Sequence, residues 1–395
     1  MDSLRSIKWL VPISLLYLVF PSSGFATTTP VEDPSFRMFR ALLKSNPTQN
    51  LIFSPYSVRQ ALNLAALGAK GKTFKQLSFG KPPELLPPKK DFGYKFIFAN
   101  RIWVQNGFPL LDSYQNASDK VFGVRPWVLD FSKAPDFLKD RMNGWVEEKT
   151  LGKVKDFIAD ILTDPSIRIF LGSATYFKAD WALPFDPSKT SEGDFEIGAQ
   201  EKAKVPFVHA TASLNYRKLP GMQVLEIPYS DSDLSLFLFL PNPEKSLEEI
   251  ETSMHSQTVD QWLGGLARRE VRVSLPKFTV DTTVSLKEAM SSLGVKDAFN
   301  PESADFTGMT GKKNLSLSRF EHRAFISLTE AGTEAGEVSF DAPPASRSPA
   351  STPVAFDVTR SFLFGIRHKG ANVFLLLGRI QKPKFVAAIS EKKDE

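Results

Sequence analysis

The chain has 395 residues, 42% of them hydrophobic and 33 of them Phe, which is enough for a large packed core and excludes a wholly disordered polypeptide. The net charge of +5 comes from Lys and Arg scattered without a stripe or a nucleic-acid motif, so it reads as a solvated surface and no nucleic-acid partner is expected. There are no cysteines, which removes disulfides, thiol nucleophiles and thiolate metal sites at once and leaves packing to hold the chain together.

The N-terminus reads as an export signal. Arg5 and Lys8 precede the short apolar run "WLVPISLLYLVF", and "SSGFA" ends in Gly24-Phe25-Ala26, small at the two positions a signal peptidase inspects. The run is too short to span a bilayer comfortably, and no other segment is long and apolar enough. Residues 1–26 are therefore expected to be a signal peptide, with a secreted, extracellular mature chain starting near Thr27 and no membrane partner. Ser54-Pro55 then opens a helix, with a hydroxyl for the cap and a proline whose φ is preset. "VRQALNLAALGAKG" follows, placing Val58, Leu62 and Ala65 on one face, and glycines end it. "DRMNGWVEEKTLGKVKDFI" reads as a second amphipathic helical region. After it come "IRIFLGSATYF", "VLEIPYS", "LSLFLFLP", "VRVSLPKF" and "NVFLLLGRI", each short, aromatic or β-branched, and bounded by turn residues, as strands are. Helices first and strands afterwards argue for an α+β protein with antiparallel sheets. No internal repeat or long linker interrupts the chain, so residues 27–395 are expected to be a single domain.

Catalytic machinery is not visible. His209, His255, His322 and His368 have no metal-ligand spacing, and neither a G-x-S-x-G elbow nor a phosphate-binding glycine loop is present. Ser54 is better explained as a helix cap than as a nucleophile. Glu147-Glu148 lie among lysines, as on a solvated helix face. No cofactor or metal is expected, and the chain does not read as an enzyme.

From about Phe36 to Pro383 the sequence resembles the serpins, the serine protease inhibitor superfamily. The resemblance rests on a series of segments in the family's order: "NLIFSPYSVRQALNLAALGAKGKT", "ANRIWV", "NGWVEEKT", "SATYFKADW", "LEIPYSDSDLSLFLFLPNP", "VSLPKF", "LGVKDAF", "ADFTGM", "EHRAFISLTEAGTEAG" and "FLFGIRHKGANVFLLLGRIQKP". It implies the serpin fold, three β-sheets with surrounding α-helices, and a monomer carrying an exposed reactive-centre loop at about 330–355. A protease cleaves such a loop, the loop inserts as a new strand of the large sheet, and the acyl-bound protease is dragged along and distorted; stored strain drives the switch. The resemblance makes Glu330, Gly332, Thr333, Glu334 and Ala335 the hinge, compact except for the two acids. It places Ser54, Ser57, Ser173 and His322 in the polar shutter where strands part, with Ser173 standing where the family commonly has asparagine. Trp181 falls at the top of the sheet, the breach.

Counting forward from Gly332 puts the cleaved bond after Ser346, and counting back from Phe362 puts it after Ala350. Arg347 lies between, the only basic residue of the loop core, and suits the acidic pocket of a trypsin-like enzyme, so Arg347-Ser348 is the expected reactive bond. Other features pull away from inhibition. On a period of two, Glu337, Ser339, Asp341 and Pro343 share Thr333's face, and an unpaired buried Glu337 costs at least several kcal/mol. Pro343 and Pro344 cannot donate to a central ladder. Gly71–Asn100 is short for the family and carries two Pro-Pro pairs. Two readings therefore stand: a secreted inhibitor of an extracellular trypsin-like serine protease, and a non-inhibitory serpin-fold protein acting as protease substrate, carrier or binding partner. Asn116-Ala-Ser118 and Asn314-Leu-Ser316 are glycosylation sequons.

Overall fold

The structure is a computed structural model that describes residues 32–78, 94–133, 135–158, 164, 166–231, 233–333 and 352–384. Glu32–Glu395 form one compact unit. Its first helices start where the sequence supplies caps. Asp33 accepts from the Ser35 N–H at the head of α1 (Pro34–Ser45), and Ser54, between β1 (Leu51–Phe53) and α2 (Pro55–Ala66), accepts from the Ser57 N–H. Each cap is followed by a proline at the first helical position, where its missing N–H costs nothing. Then come α3 (Gly71–Leu77), β2 (Tyr94–Gln105), α4 (Asp112–Phe122), β3 (Trp127–Leu129), α5 (Pro135–Lys149) and β4 (Ile169–Asp180).

The second half is richer in strands: β5 (Ser191–Glu196), β6 (Lys202–Leu219), β7 (Met222–Pro228) and β8 (Leu234–Pro241). Two short helices follow, α6 (Leu247–Ser253) and α7 (Ser256–Leu263), then β9 (Ala267–Pro276) and β10 (Phe278–Ser285). The chain continues through α8 (Lys287–Ser292), α9 (Thr307–Thr310), β11 (Leu317–Leu328), β12 (Gly332–Thr333), β13 (Val354–Asp357), β14 (Phe362–His368) and β15 (Val373–Ile380).

Six strands make one sheet in the order β10-β11-β12-β4-β2-β3. Nine make the other network, β1-β15-β14-β8-β7-β6-β9-β13 with β5 on β6. The long β6 joins what are two sheets of the expected three: its end, Asn215–Leu219, pairs with β7, while Phe207–Tyr216 pairs with β9 and its start with β5. Strand β4 is buried on both faces. Phe177 and Ala179 face the core between the sheets, whereas Phe170, Ala174 and Tyr176 face a separate aromatic layer beneath α5. That two-sided burial explains its nearly unbroken apolar sequence.

Two local expectations need correcting. The helical region over 140–158 stops at Lys149, because Leu151 (φ 56°) and Gly152 (φ 73°) take the left-handed conformation that ends a helix. "VRVSLPKF" is not one strand: β9 ends at Pro276 and β10 begins at Phe278 in the other sheet, with Lys277 at the corner. The export signal, residues 334–351 of the loop and the Pro-rich 79–93 lie outside the described residues.

Candidate functional site

Strands β4 and β11 run parallel and pair directly from Leu317↔Ile169 to Phe325↔Tyr176. Above Tyr176 the seam forks, and β12 sits in the fork: Thr333 pairs with Leu328 of β11 and with Ala179 of β4, antiparallel to both. Gly332 permits this. A Cβ there would lie 2.2 Å from the Ala179 carbonyl oxygen, so any side chain forces the strands apart. Thr333 is fully buried, and its hydroxyl is 2.7 Å from the Tyr229 hydroxyl. Burial raises the Tyr229 pKa, although the Thr333 bond opposes the shift, so the phenol stays protonated. Trp181 stacks on Tyr229 with centroids 4.6 Å apart, and its indole N–H donates to the Thr329 carbonyl at 3.1 Å. Its backbone N–H donates to the Ala331 carbonyl. The segment entering the fork is thus fixed on both sides before it becomes strand.

Glu330 anchors the same segment. Its carboxylate accepts from Thr190 Oγ1 at 2.7 Å and from Lys277 Nζ at 2.9 Å. Burial pushes the carboxyl pKa up, but these two donors outweigh it and hold it below the ordinary Glu value. Both partners are mostly shielded, with 14% and 17% of the Lys277 and Glu330 side chains exposed, so the pair is stronger than a surface ion pair.

Lower on the seam a polar chain crosses the sheet. Asn100 of β2 pairs with Ser173 of β4, and Ser173 pairs with His322 of β11, so the three side chains share one row. The Ser54 N–H donates to His322 Nε2 at 3.0 Å, which leaves the proton of the neutral ring on Nδ1. Nδ1 lies 3.0 Å from Ser173 Oγ, Ser173 Oγ lies 2.9 Å from Ser57 Oγ, and Ser57 Oγ donates to Asn100 Oδ1 at 3.1 Å. Only one assignment of protons satisfies all of these: His322 to Ser173, Ser173 to Ser57, Ser57 to Asn100. The Asn100 amide closes the loop by donating to the Ser57 carbonyl at 3.0 Å. Burial pushes the His322 pKa down to about 3, with a bond to Ser173 opposing, so the ring is neutral at physiological pH. Ser54 Oγ donates to the Leu375 carbonyl at 2.8 Å, and of Ser54 the His322 ring contacts only the backbone N–H, so Ser54 and His322 do not form a nucleophile–base pair. What the arrangement does chemically is hold two strands together by bonds that can be exchanged.

Ser54, Ser57, Ser173 and His322 are thus brought into one network at the seam, and Glu330, Gly332, Thr333 and Trp181 into a second at its top. Glu334, Ala335, Arg347 and Ser348 lie outside the described residues. Asn116 on α4 and Asn314 are exposed and belong to neither network. Among the described residues no group of three or more His, Asp or Glu side chains could hold a metal ion. Sequence reasoning gave no site role to Asn100, Thr190, Tyr229 or Lys277, although Thr190 was among the positions matching the family. Three of these lie in segments it quoted, "ANRIWV", "LEIPYSDSD" and "VSLPKF", but only the register of neighbouring strands gives them partners.

The chain matches one protein-family model, Serpin (serine protease inhibitor), over residues 31–383. It is 30% identical over 368 residues to the leukocyte elastase inhibitor of Xenopus laevis, covering 88% of this chain and 97% of that protein. It is 31% identical over 380 residues to Serpin B11 of Homo sapiens, covering 88% and 96%. Among solved structures, human thyroxine-binding globulin in complex with its hormone superposes with a TM-score of 0.80 at 27% identity, covering 89% of this chain and 96% of that one.

Proposed function

Because the chain belongs to the serpin family, we propose that it is a secreted suicide inhibitor of a trypsin-like serine protease, with Arg347-Ser348 as the bond offered and strand insertion between β4 and β11 as the trap. The observation that carries this reading is β12. Gly332 and Thr333 already occupy the fork as a two-residue strand bonded on both edges, so cleavage of the loop extends an existing ladder rather than nucleating a new one. Continuing that register carries position 335 opposite Phe177, 337 opposite Thr175 and 339 opposite Ser173, into the polar row where His322 now bonds. The inserting strand therefore replaces the His322–Ser173 contact with its own ladder, which is the exchange the row is built to allow.

One observation favours the alternative, a serpin-fold substrate or binding protein. The same register brings Glu337 against Thr175 and Ala324, both fully buried. The Thr175 hydroxyl has no partner among the described residues and supplies one donor, which offsets only part of the desolvation of a carboxylate. Export, glycosylation at Asn116 and Asn314, and a monomeric state complete the proposal.

The test is to mix the mature chain with a trypsin-like protease and run a denaturing gel. A covalent band at the summed mass, lost in Arg347→Ala, is expected. Clean loop cleavage with free, active protease would overturn inhibition and leave the alternative.

A further inference from the structure

The aromatic layer beneath α5 contains a charge that has no carboxylate within ion-pair distance among the described residues. Arg101 projects from β2 with 8% of its surface exposed, and its Nε and Nη1 atoms have no hydrogen-bond partner among the described residues. Its guanidinium instead lies 3.9 Å from the Trp127 ring of β3 and 4.3 Å from the Trp145 ring of α5. The Trp103 and Trp145 indole N–H groups, next to it, are also unpartnered. The layer thus holds several buried donors and offers them π faces rather than acceptors.

The row in which Arg101 stands explains why. Across the sheet it pairs with Gly172, and Gly172 pairs with Glu321 of β11. Gly172 has no side chain because Trp103 and Phe157 fill that space: a Cβ would sit 2.5 Å from Trp103 and 3.0 Å from Phe157. Glu321, on the far side, is bonded to Arg319 at 3.2 Å. The Arg141 guanidinium of α5 lies 5.0 Å from the same Trp127 ring and adds like charge. Glu148 attracts Arg101 but is solvent-exposed and paired with Lys149, so water screens it.

We propose that Arg101 is a spring beneath α5: its buried, unmatched guanidinium opposes the seating of α5 on the sheet and lowers the threshold for α5 to lift. Each buried donor has given up a water hydrogen bond without replacement, a loss comparable to what one cation–π contact returns. With two such donors on Arg101, further ones on the neighbouring indoles and Arg141 in opposition, the balance falls against closure. Lifting α5 rehydrates the guanidinium. Burial pushes the Arg101 pKa down to about 10, in keeping with a cation held where charge is disfavoured.

The consequence for function rests on the reading above. The layer spans β2 and β4 and reaches Phe325 on β11, so α5 and its following segment lie over the seam that must open. The Asp156 carbonyl in that segment accepts from Arg323 of β11, which is itself held by Asp281 of β10. A cover that seats less firmly lets the seam part sooner.

The test is amide hydrogen exchange of α5 in the full mature chain, comparing Arg101→Met with the parent. Replacing a buried charge by an apolar group of similar length is expected to slow α5 exchange by about tenfold and to raise the melting temperature. Exchange that is unchanged or faster would overturn the proposal, since a stabilising clasp loses protection when cut. Arg141→Met, at an exposed position, provides a second variant and is expected to shift exchange the same way by less; faster exchange there would count against the spring. The readout needs no protease. Slower α5 exchange in a chain that forms no covalent complex would keep the spring and sink the inhibitory reading.

Discussion

His322 shows how one side chain can be both buried and changeable. Its ring accepts from one backbone N–H and donates to one hydroxyl, so protonation adds a proton where Ser54 already points its N–H. The sign of the pH effect follows. The folded pKa, about 3, is below the ordinary value of 6.5, so the unfolded chain binds a proton in that window while the native chain does not. Its contribution is complete above pH 6.5 and is lost as pH falls toward 3, at about 1.4 kcal/mol per unit. The depressed Glu330 carboxyl acts in the same direction, but only below its ordinary value of 4.5, while Glu251, whose carboxyl burial pushes above that value, acts in the opposite direction between 4.5 and 6.5, so the histidine is read there as the difference between parent and variant. Melting temperature measured across that interval is expected to fall with acid in the parent and to flatten in His322→Gln; equal slopes would show that the ring does not titrate on unfolding. The histidine itself was legible as a family position. Asn100, at the other end of its hydrogen-bond chain, was not, because two residues 222 positions apart in sequence share a row only after β2, β4 and β11 are aligned.

Elements were legible where the sequence carried a local signal and less so where a tertiary choice decided. The α2 start at Ser54-Pro55 follows from capping chemistry alone. "VRVSLPKF" carries a continuous strand signal, yet the chain leaves one sheet at Pro276 and enters the other at Phe278, a change that no propensity records. Strand β12 is the extreme case. Two residues are too few to carry a strand pattern, and they are strand only because a fork receives them and Gly332 lets them approach β4. Gly332→Ala is therefore expected to expel β12. The Trp181 and Thr329 amides, which donate to the Ala331 and Gly332 carbonyls, would lose protection from hydrogen exchange, while amides lower on β4 keep theirs. Retained protection at both would mean that β4 shifts to accommodate the methyl and that the fork is looser than its contacts indicate.

At the scale of the whole molecule, the six-stranded sheet pairs all its strands and yet leaves a fork at the top of its β4–β11 seam, with a charged cover over one face and a polar row below. On the proposed mechanism, a protease that cuts the loop tests whether the remaining bonds give way, because the freed segment would then follow Thr333 down the seam. Full insertion makes a central antiparallel strand out of a parallel β4–β11 contact and buries more apolar surface, so the cleaved chain should melt well above the intact one. Two features oppose that gain in this sequence. Glu337 enters the core face beside Thr175, and Pro343 and Pro344 withhold ladder donors at the far end. Their contributions separate by substitution. Glu337→Ala removes the buried carboxylate without touching the prolines, and it should raise the melting temperature of the cleaved chain while leaving the intact chain nearly unchanged. An equal change in both would place position 337 in the same environment before and after cleavage, and insertion would then stop above Thr175, within reach of the hinge but short of the polar row.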